Sequence, residues 1–170
     1  MPAGTSAGSY TIEYEICEIL NPTNCDNAVA TINVIASTII ANDDSATNIN
    51  GYVGATAVVN ALTNDTVSGL PATLSNVNLR VTQPATAIGS GNVPVLDATT
   101  GFVDVPVGTP AGRYTIEYEI CQKLNPTVCD KAIITIDVVV ALIVANDDYA
   151  NNINGFAGQV NVVNAFANDT

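Results

Sequence analysis

The stretch that governs the architecture is Arg113 to Asp130, RYTIEYEICQKLNPTVCD. Tyr114, Ile116, Tyr118 and Ile120 alternate with Thr115, Glu117, Glu119 and Cys121. Alternation of this kind belongs to a strand with one buried and one wet face. After a loop carrying Asn125-Pro126, a second strand sets Ala132, Ile134, Ile136 and Val138 on one face and Ile133, Thr135 and Asp137 on the other. By this parity Cys121 and Cys129 both lie on the outer face, where paired strands bring two cysteines to disulfide distance. Tyr114, Ile116, Tyr118 and Ile120 are the expected core.

Working outward, Ser9 to Asp26 repeats the words as SYTIEYEICEILNPTNCD, with Cys17 and Cys25 in the cysteine positions. A shift of about 104 residues aligns Pro2–Thr66 with Pro106–Thr170 without a gap, and roughly six positions in ten are identical. That period is the size of one ordinary domain. The expected organisation is a terminal hairpin of one repeat over 1–37, a complete repeat over 38–141, and the opening of the next over 142–170. Met1 aligns with Val105, inside the repeat, so the chain reads as part of a longer array.

Between the hairpins the pattern stays short and extended. Ile39-Ile40 leads into a turn-rich Ala41-Asn42-Asp43-Asp44, followed by strands expected at Ala46–Asn50 and Thr56–Leu62. Ser68-Gly69-Leu70-Pro71 reads as a loop. Asn76–Thr82 alternates, with Val77, Leu79 and Val81 inward. Val93–Leu96 and Phe102–Val107 flank a hairpin loop at Asp97–Gly101. About seven strands at this spacing, with no helical periodicity, predict an all-β sandwich. Tyr114 follows a Pro-Ala-Gly corner; it is either a tyrosine corner or a core aromatic with its hydroxyl at the rim, and in both readings its ring packs inside.

Composition narrows the function classes. Hydrophobic residues make up 48% of the 170, enough for a core, while only 12% are charged. Four basic residues stand against 16 acidic ones, giving a net charge of −12. Such a surface repels phosphate backbones, which argues against nucleic-acid binding, and it disfavours anionic membranes. No stretch approaches the length of a membrane-spanning helix. Four cysteines in two C-x7-C pairs fit an oxidising compartment. The rival reading, a metal pair, lacks His and a second nearby pair, so it is a poor zinc pattern.

The phrases Ile40–Asp44, Val59–Thr66, Leu96–Gly101 and Thr109–Asp130 together resemble the Ig-like tandem repeats of giant Bacteroidetes surface adhesins, including those linked to flavobacterial gliding motility. The likeness covers the whole repeat. It implies Ig-like Greek-key units, export (for gliding adhesins by the type IX route), a place on the bacterial cell surface, and a stalk whose partners are its neighbouring repeats and which carries a distal adhesive tip. In such a stalk the clipped hairpins would resist unzipping under pull.

Chemistry has little to stand on. With no His and no base beside either cysteine pair, Ser- and Cys-based triads in the usual form are excluded, and the chain is expected not to be an enzyme. Asp43, Asp44, Asp65 and Asp97, with Asp147 and Asp148 in the second copy, are oxygen ligands of the type calcium prefers. Cadherin-like bacterial repeats share the Asn-Asp-Asp and Asn-Asp-Thr phrases but add a second acidic pair, where this chain has Thr47-Asn48-Ile49-Asn50. The alternative, that these residues build Asx turns, is favoured. The expectation is therefore no obligatory cofactor, with calcium as the one candidate. Asp44-Ser45-Ala46 and Asp65-Thr66-Val67 resemble the Bacteroidetes O-glycosylation pattern, which makes Ser45 and Thr66 candidate acceptors. Two other functions compete: a glycan- or protein-binding module using Tyr52, Phe156 or Tyr149, and a self-assembling fibre subunit joined by strand exchange.

Overall fold

The computed structural model describes residues 1–170. Twelve strands follow one another: β1 (Gly8–Cys17), β2 (Cys25–Val34), β3 (Ile39–Ile40), β4 (Asp44–Asn50), β5 (Ala55–Asn60), β6 (Thr66–Val67), β7 (Leu70–Pro71), β8 (Val77–Gln83), β9 (Val95–Leu96), β10 (Phe102–Val105), β11 (Gly112–Gln122) and β12 (Cys129–Val139). Strands β4-β12-β11-β8 form one sheet and β5-β10-β9 the other, with β3-β6-β7 as a small third sheet at one end. The chain crosses between the two main sheets after β4, returns at β8, crosses again at β9, and returns for the β11–β12 hairpin. This is an Ig-like Greek-key β-sandwich, and no helix is present.

The alternation in Arg113–Asp130 dictates the packing. Tyr114, Ile116, Tyr118 and Ile120 are at most 2% exposed, and Ala132, Ile134, Ile136 and Val138 lie buried beside them. Val103 and Val105 face them from β10, joined by Ala61, Leu62, Val77 and Leu96. The wet face is held by cross-strand pairs: Arg113 donates two hydrogen bonds to Asp137 directly opposite it, at 2.7 and 3.0 Å, and Lys131 reaches Glu117 at 2.7 Å. Glu119, on that same face, is nevertheless covered, because Arg80 of β8 lies over it in an ion pair.

Several local expectations are revised. Asp44 belongs to β4 rather than to a turn, and the strand starts there instead of at Ala46, since Asp44 and Ser45 pair in parallel with Ile134 and Thr135 of β12. β5 ends at Asn60: Ala61 still donates across to Gly101 O at 2.9 Å, and the Asn60 side chain then accepts the Leu62 amide proton at 2.9 Å in place of a strand partner. Ser68-Gly69 is a tight turn, both residues at positive φ, which lets Leu70-Pro71 pair back on Thr66-Val67.

Flanking the sandwich, β1 and β2 form a separate two-stranded sheet in the same register as β11 and β12. Residues 140–170 carry no strand, yet Val144 and Thr170 exchange two backbone hydrogen bonds at 2.7 and 3.0 Å.

Candidate functional site

The main concentration of ionisable groups inside the sandwich surrounds Tyr118. Its place on the inner face of β11 drives the phenol into the core, and its hydroxyl emerges among the turns that precede β4 and follow β5. There it lies within hydrogen-bond distance of five oxygens: Ala61 O at 2.9 Å, Asn42 O at 3.0 Å, Asp65 Oδ2 at 3.0 Å and Oδ1 at 3.2 Å, and Asp44 Oδ2 at 3.3 Å. The hydroxyl carries a single proton, so it donates to only one or two of these oxygens at a time. The surrounding backbone is tied in by Asp65 and by two further carboxylates: Asn42 donates its amide proton to Asp65 Oδ1 (2.7 Å), Ile133 to Asp43 Oδ1 (2.8 Å) and Ala41 to Asp130 Oδ2 (2.9 Å). Asn42 and Asn64 clasp the two turns together, each side chain donating to a carbonyl of the other turn.

Charge is costly here. Burial, then the neighbouring Asp65 charge, pushes the Asp44 carboxyl up to about 6. Burial likewise raises Asp65, which is 1% exposed. The Tyr118 phenol is raised by burial and by both carboxylates, so it acts only as a donor. The arrangement can hold one extra proton and can lock three segments to one point. It presents no nucleophile paired with a base.

The calcium candidates do not converge on an ion site. Convergence of three metal-type side chains within 4.8 Å occurs only at Glu15-Cys17-Cys25 and Glu119-Cys121-Cys129, and in both the sulfurs are spent in disulfides. The Tyr118 hydroxyl stands between Asp44 and Asp65, and Asp43 and Asp65 already accept backbone N–H groups. Asp97 stands in the β9–β10 turn, where it accepts both the amide and the hydroxyl of Thr99 at 2.8 and 2.7 Å, and those bonds lower its pKa. Asp147 and Asp148 lie on the exposed 140–170 segment.

The remaining candidates are placed as follows. Cys17 is bonded to Cys25 and Cys121 to Cys129, each pair directly opposed across its hairpin. Tyr114 donates its hydroxyl proton to Pro110 O at 2.8 Å, four residues back, which is the bond of a tyrosine corner. Ser45 is exposed beside Thr135, whereas Thr66 is half-buried between Ile40 and Pro71. Tyr52 stands 74% exposed on the β4–β5 turn, and Tyr149 and Phe156 are exposed on the C-terminal segment. What sequence reasoning missed is Tyr118 as the organising donor. The signal was available: Tyr14, Asn146 and Asp169 repeat Tyr118, Asn42 and Asp65 one period away.

No family model matches the chain, and no curated protein does. Among solved structures it is similar to protocadherin gamma B7 extracellular cadherin domains 1–4, with a TM-score of 0.43 and 8% identity over 90% of this chain and 38% of that one. The likeness is thus loose, and this chain spans well under half the length of that protein.

Proposed function

We propose that this chain is a non-catalytic structural repeat of a long extracellular adhesin or filament at a bacterial cell surface, part of a stalk that carries an adhesive tip in attachment or gliding. The observation that carries this reading is the clipped hairpin: the same β-ladder, closed by the same cross-strand disulfide, stands twice in one chain about one domain apart. Repetition of an entire scaffold, with no catalytic constellation in it, serves length and durability. Holding the chain by its ends in a force spectrometer tests it. The complete unit should yield in a single high-force step, and gradual lengthening at the lowest measurable forces would sink the reading.

The clip's contribution is separable. Reducing Cys121–Cys129, or replacing both by Ala, is expected to cost about 2–3 kcal/mol, the loop-closure value for so short a ring. Urea unfolding with and without reductant measures it, and the reduced chain should be cut faster by protease.

Calcium independence is part of the proposal. Because the cluster is centred on a hydroxyl, the melting temperature in excess calcium should match that in chelator. An upward shift of several degrees would show ion binding to the folded state. The competing glycan-binding reading rests on exposed Tyr52; glycan-array binding that Tyr52→Ala abolishes would replace the mechanical reading.

A further inference from the structure

We propose that Cys129 Sγ is the sulfur at which a small external thiol attacks the Cys121–Cys129 clip, and that Glu119 is the residue that slows the attack. The inference does not depend on the mechanical reading above, since the contacts that carry it lie inside the complete unit.

Thiol–disulfide exchange is an in-line displacement: the incoming thiolate approaches one sulfur from the side opposite the other. The S–S bond here joins directly opposed residues of β11 and β12, so it lies across the two strands. Attack on Cys121 would have to come from the β8 side, where Asn78 pairs with Cys121 and Arg80 with Glu119. Attack on Cys129 comes from the far side of β12. There β4 joins the edge only from Ile134 onward, so no strand pairs beside Cys129, which is exposed while Cys121 is half-buried.

The charges are as unequal as the access. Glu119 Oε2 lies 3.3 Å from Cys121 Sγ. The disulfide sulfur carries no proton, so this is a carboxylate set against the sulfur and not a hydrogen bond. Glu119 is held in place: it is 8% exposed, and Arg80 Nε donates to the same Oε2 at 2.6 Å. The next charged pair on this face, Lys131 and Glu117, is spent on itself at 2.7 Å. The contact recurs in the other hairpin, where Glu15 Oε2 stands 3.7 Å from Cys17 Sγ.

An external thiolate, RS⁻, bonds to Cys129 Sγ, the S–S bond breaks, and its electron pair leaves on Cys121 Sγ. A disulfide and a thiolate give a mixed disulfide and a thiolate, so no further oxidant or reductant is consumed. The new negative charge appears beside Glu119, which makes Cys121 a poorer leaving group and the step slower. The same repulsion favours the reverse step, in which the Cys121 thiolate attacks Cys129 and expels RS⁻. Glu119 therefore keeps the clip closed among small thiols, and the Arg80 charge tempers it.

Treating the whole chain with mercaptoethanol in native buffer tests this. Excess maleimide stops the reaction and caps freed thiols, and peptide mass spectrometry reads each cysteine separately. The mercaptoethanol adduct is expected on Cys129 and the cap on Cys121. Glu119→Gln should speed the opening of this clip about fivefold, the effect of one unit charge at ~4 Å in water, while Cys17–Cys25 opens at its wild-type rate. Arg80→Met keeps bulk over Glu119 and removes the charge, so opening should slow by roughly twofold or more. That opposite sign separates charge from cover, since loss of cover or of stability would speed both variants. The proposal is overturned by an adduct formed mainly on Cys121, by an unchanged rate in Glu119→Gln, or by an Arg80→Met chain that opens no more slowly than wild type.

Discussion

Replacing Tyr118 by Phe is expected to lower the stability of the sandwich by about 2–3 kcal/mol, the cost of stripping buried acceptors of their donor. For a unit of this size that is a fall of about 10–20 °C in Tm. The ring still fills its place between β11 and the opposing sheet, so packing is barely disturbed. What is lost is the one phenolic donor facing Asn42 O, Ala61 O, Asp44 and Asp65. The effect should depend on pH with a definite sign. The Asp44 carboxyl is raised to about 6 in the folded chain, above its value in the unfolded one. The folded state therefore binds the extra proton, and this contribution to stability is present below about pH 4 and lost as pH rises through about 6. Asp97, Glu117 and Asp137 are shifted the other way, so their contribution is lost only as pH falls below the ordinary carboxylate range. The wild-type unit should be most stable near pH 5. Since the Tyr118 bond helps hold the Asp44 carboxyl down, removing it steepens the dependence: Tyr118→Phe should regain a larger share of its Tm between pH 7.5 and 5 than the wild type gains. A substitution whose cost is the same at both pH values would mean that the cluster does not share a proton.

Gly51→Ala is the second large effect. A Cβ at this position would lie 2.0 Å from Thr109 O and 2.7 Å from Val138 Cγ1. The first contact is with backbone that Gly51 itself holds, since its carbonyl accepts the amide protons of both Gly108 and Thr109. Accommodating a methyl group requires the β10–β11 connection to retreat from the end of β4, breaking those bonds and loosening Val138. A cost of about 2–3 kcal/mol is expected, in the range of core overpacking. Urea unfolding should show a lower midpoint at an unchanged slope. Adding Val138→Ala removes the side-chain contact and leaves the carbonyl contact, so the double variant should not recover. Recovery would place the strain in the side chain instead.

Much of this architecture is legible in the sequence because the strands are two-faced. The run from Tyr114 to Ile120 alternates without error, and strand face, hairpin register and cysteine pairing follow from that parity alone. The strands β3, β6 and β7 were not legible: each is two residues long, too short for any period, and exists only because Ile39 and Ile40 meet Val67 and Thr66 across the fold. Asp44 was misplaced for a related reason. Its turn-forming side chain is a local signal, whereas its strand state comes from a parallel partner some 90 residues away. The carboxylate cluster was half legible. Asx chemistry identified Asp43 and Asp65 as residues that hold turns, but periodicity registers Tyr118 only as a buried ring and says nothing about where its hydroxyl ends up.

The parallel pairing of β4 with β12 has a consequence for load. The two strands run the same way, from Asp44 beside Ile134 to Asn50 beside Val139. A pull applied along the chain draws the beginning of β4 and the end of β12 in opposite directions, so the ladder between them is sheared. In shear its hydrogen bonds must give way together, whereas in a peeled hairpin they break one after another. The disulfide lies at the closed end of β11–β12, remote from Val139 where tension enters, so in this loading geometry it does not guard the first bonds to break. It acts later, as a tether: the loop between Cys121 and Cys129 stays folded back, and an overstretched unit pays out a shorter thread before it snaps together again.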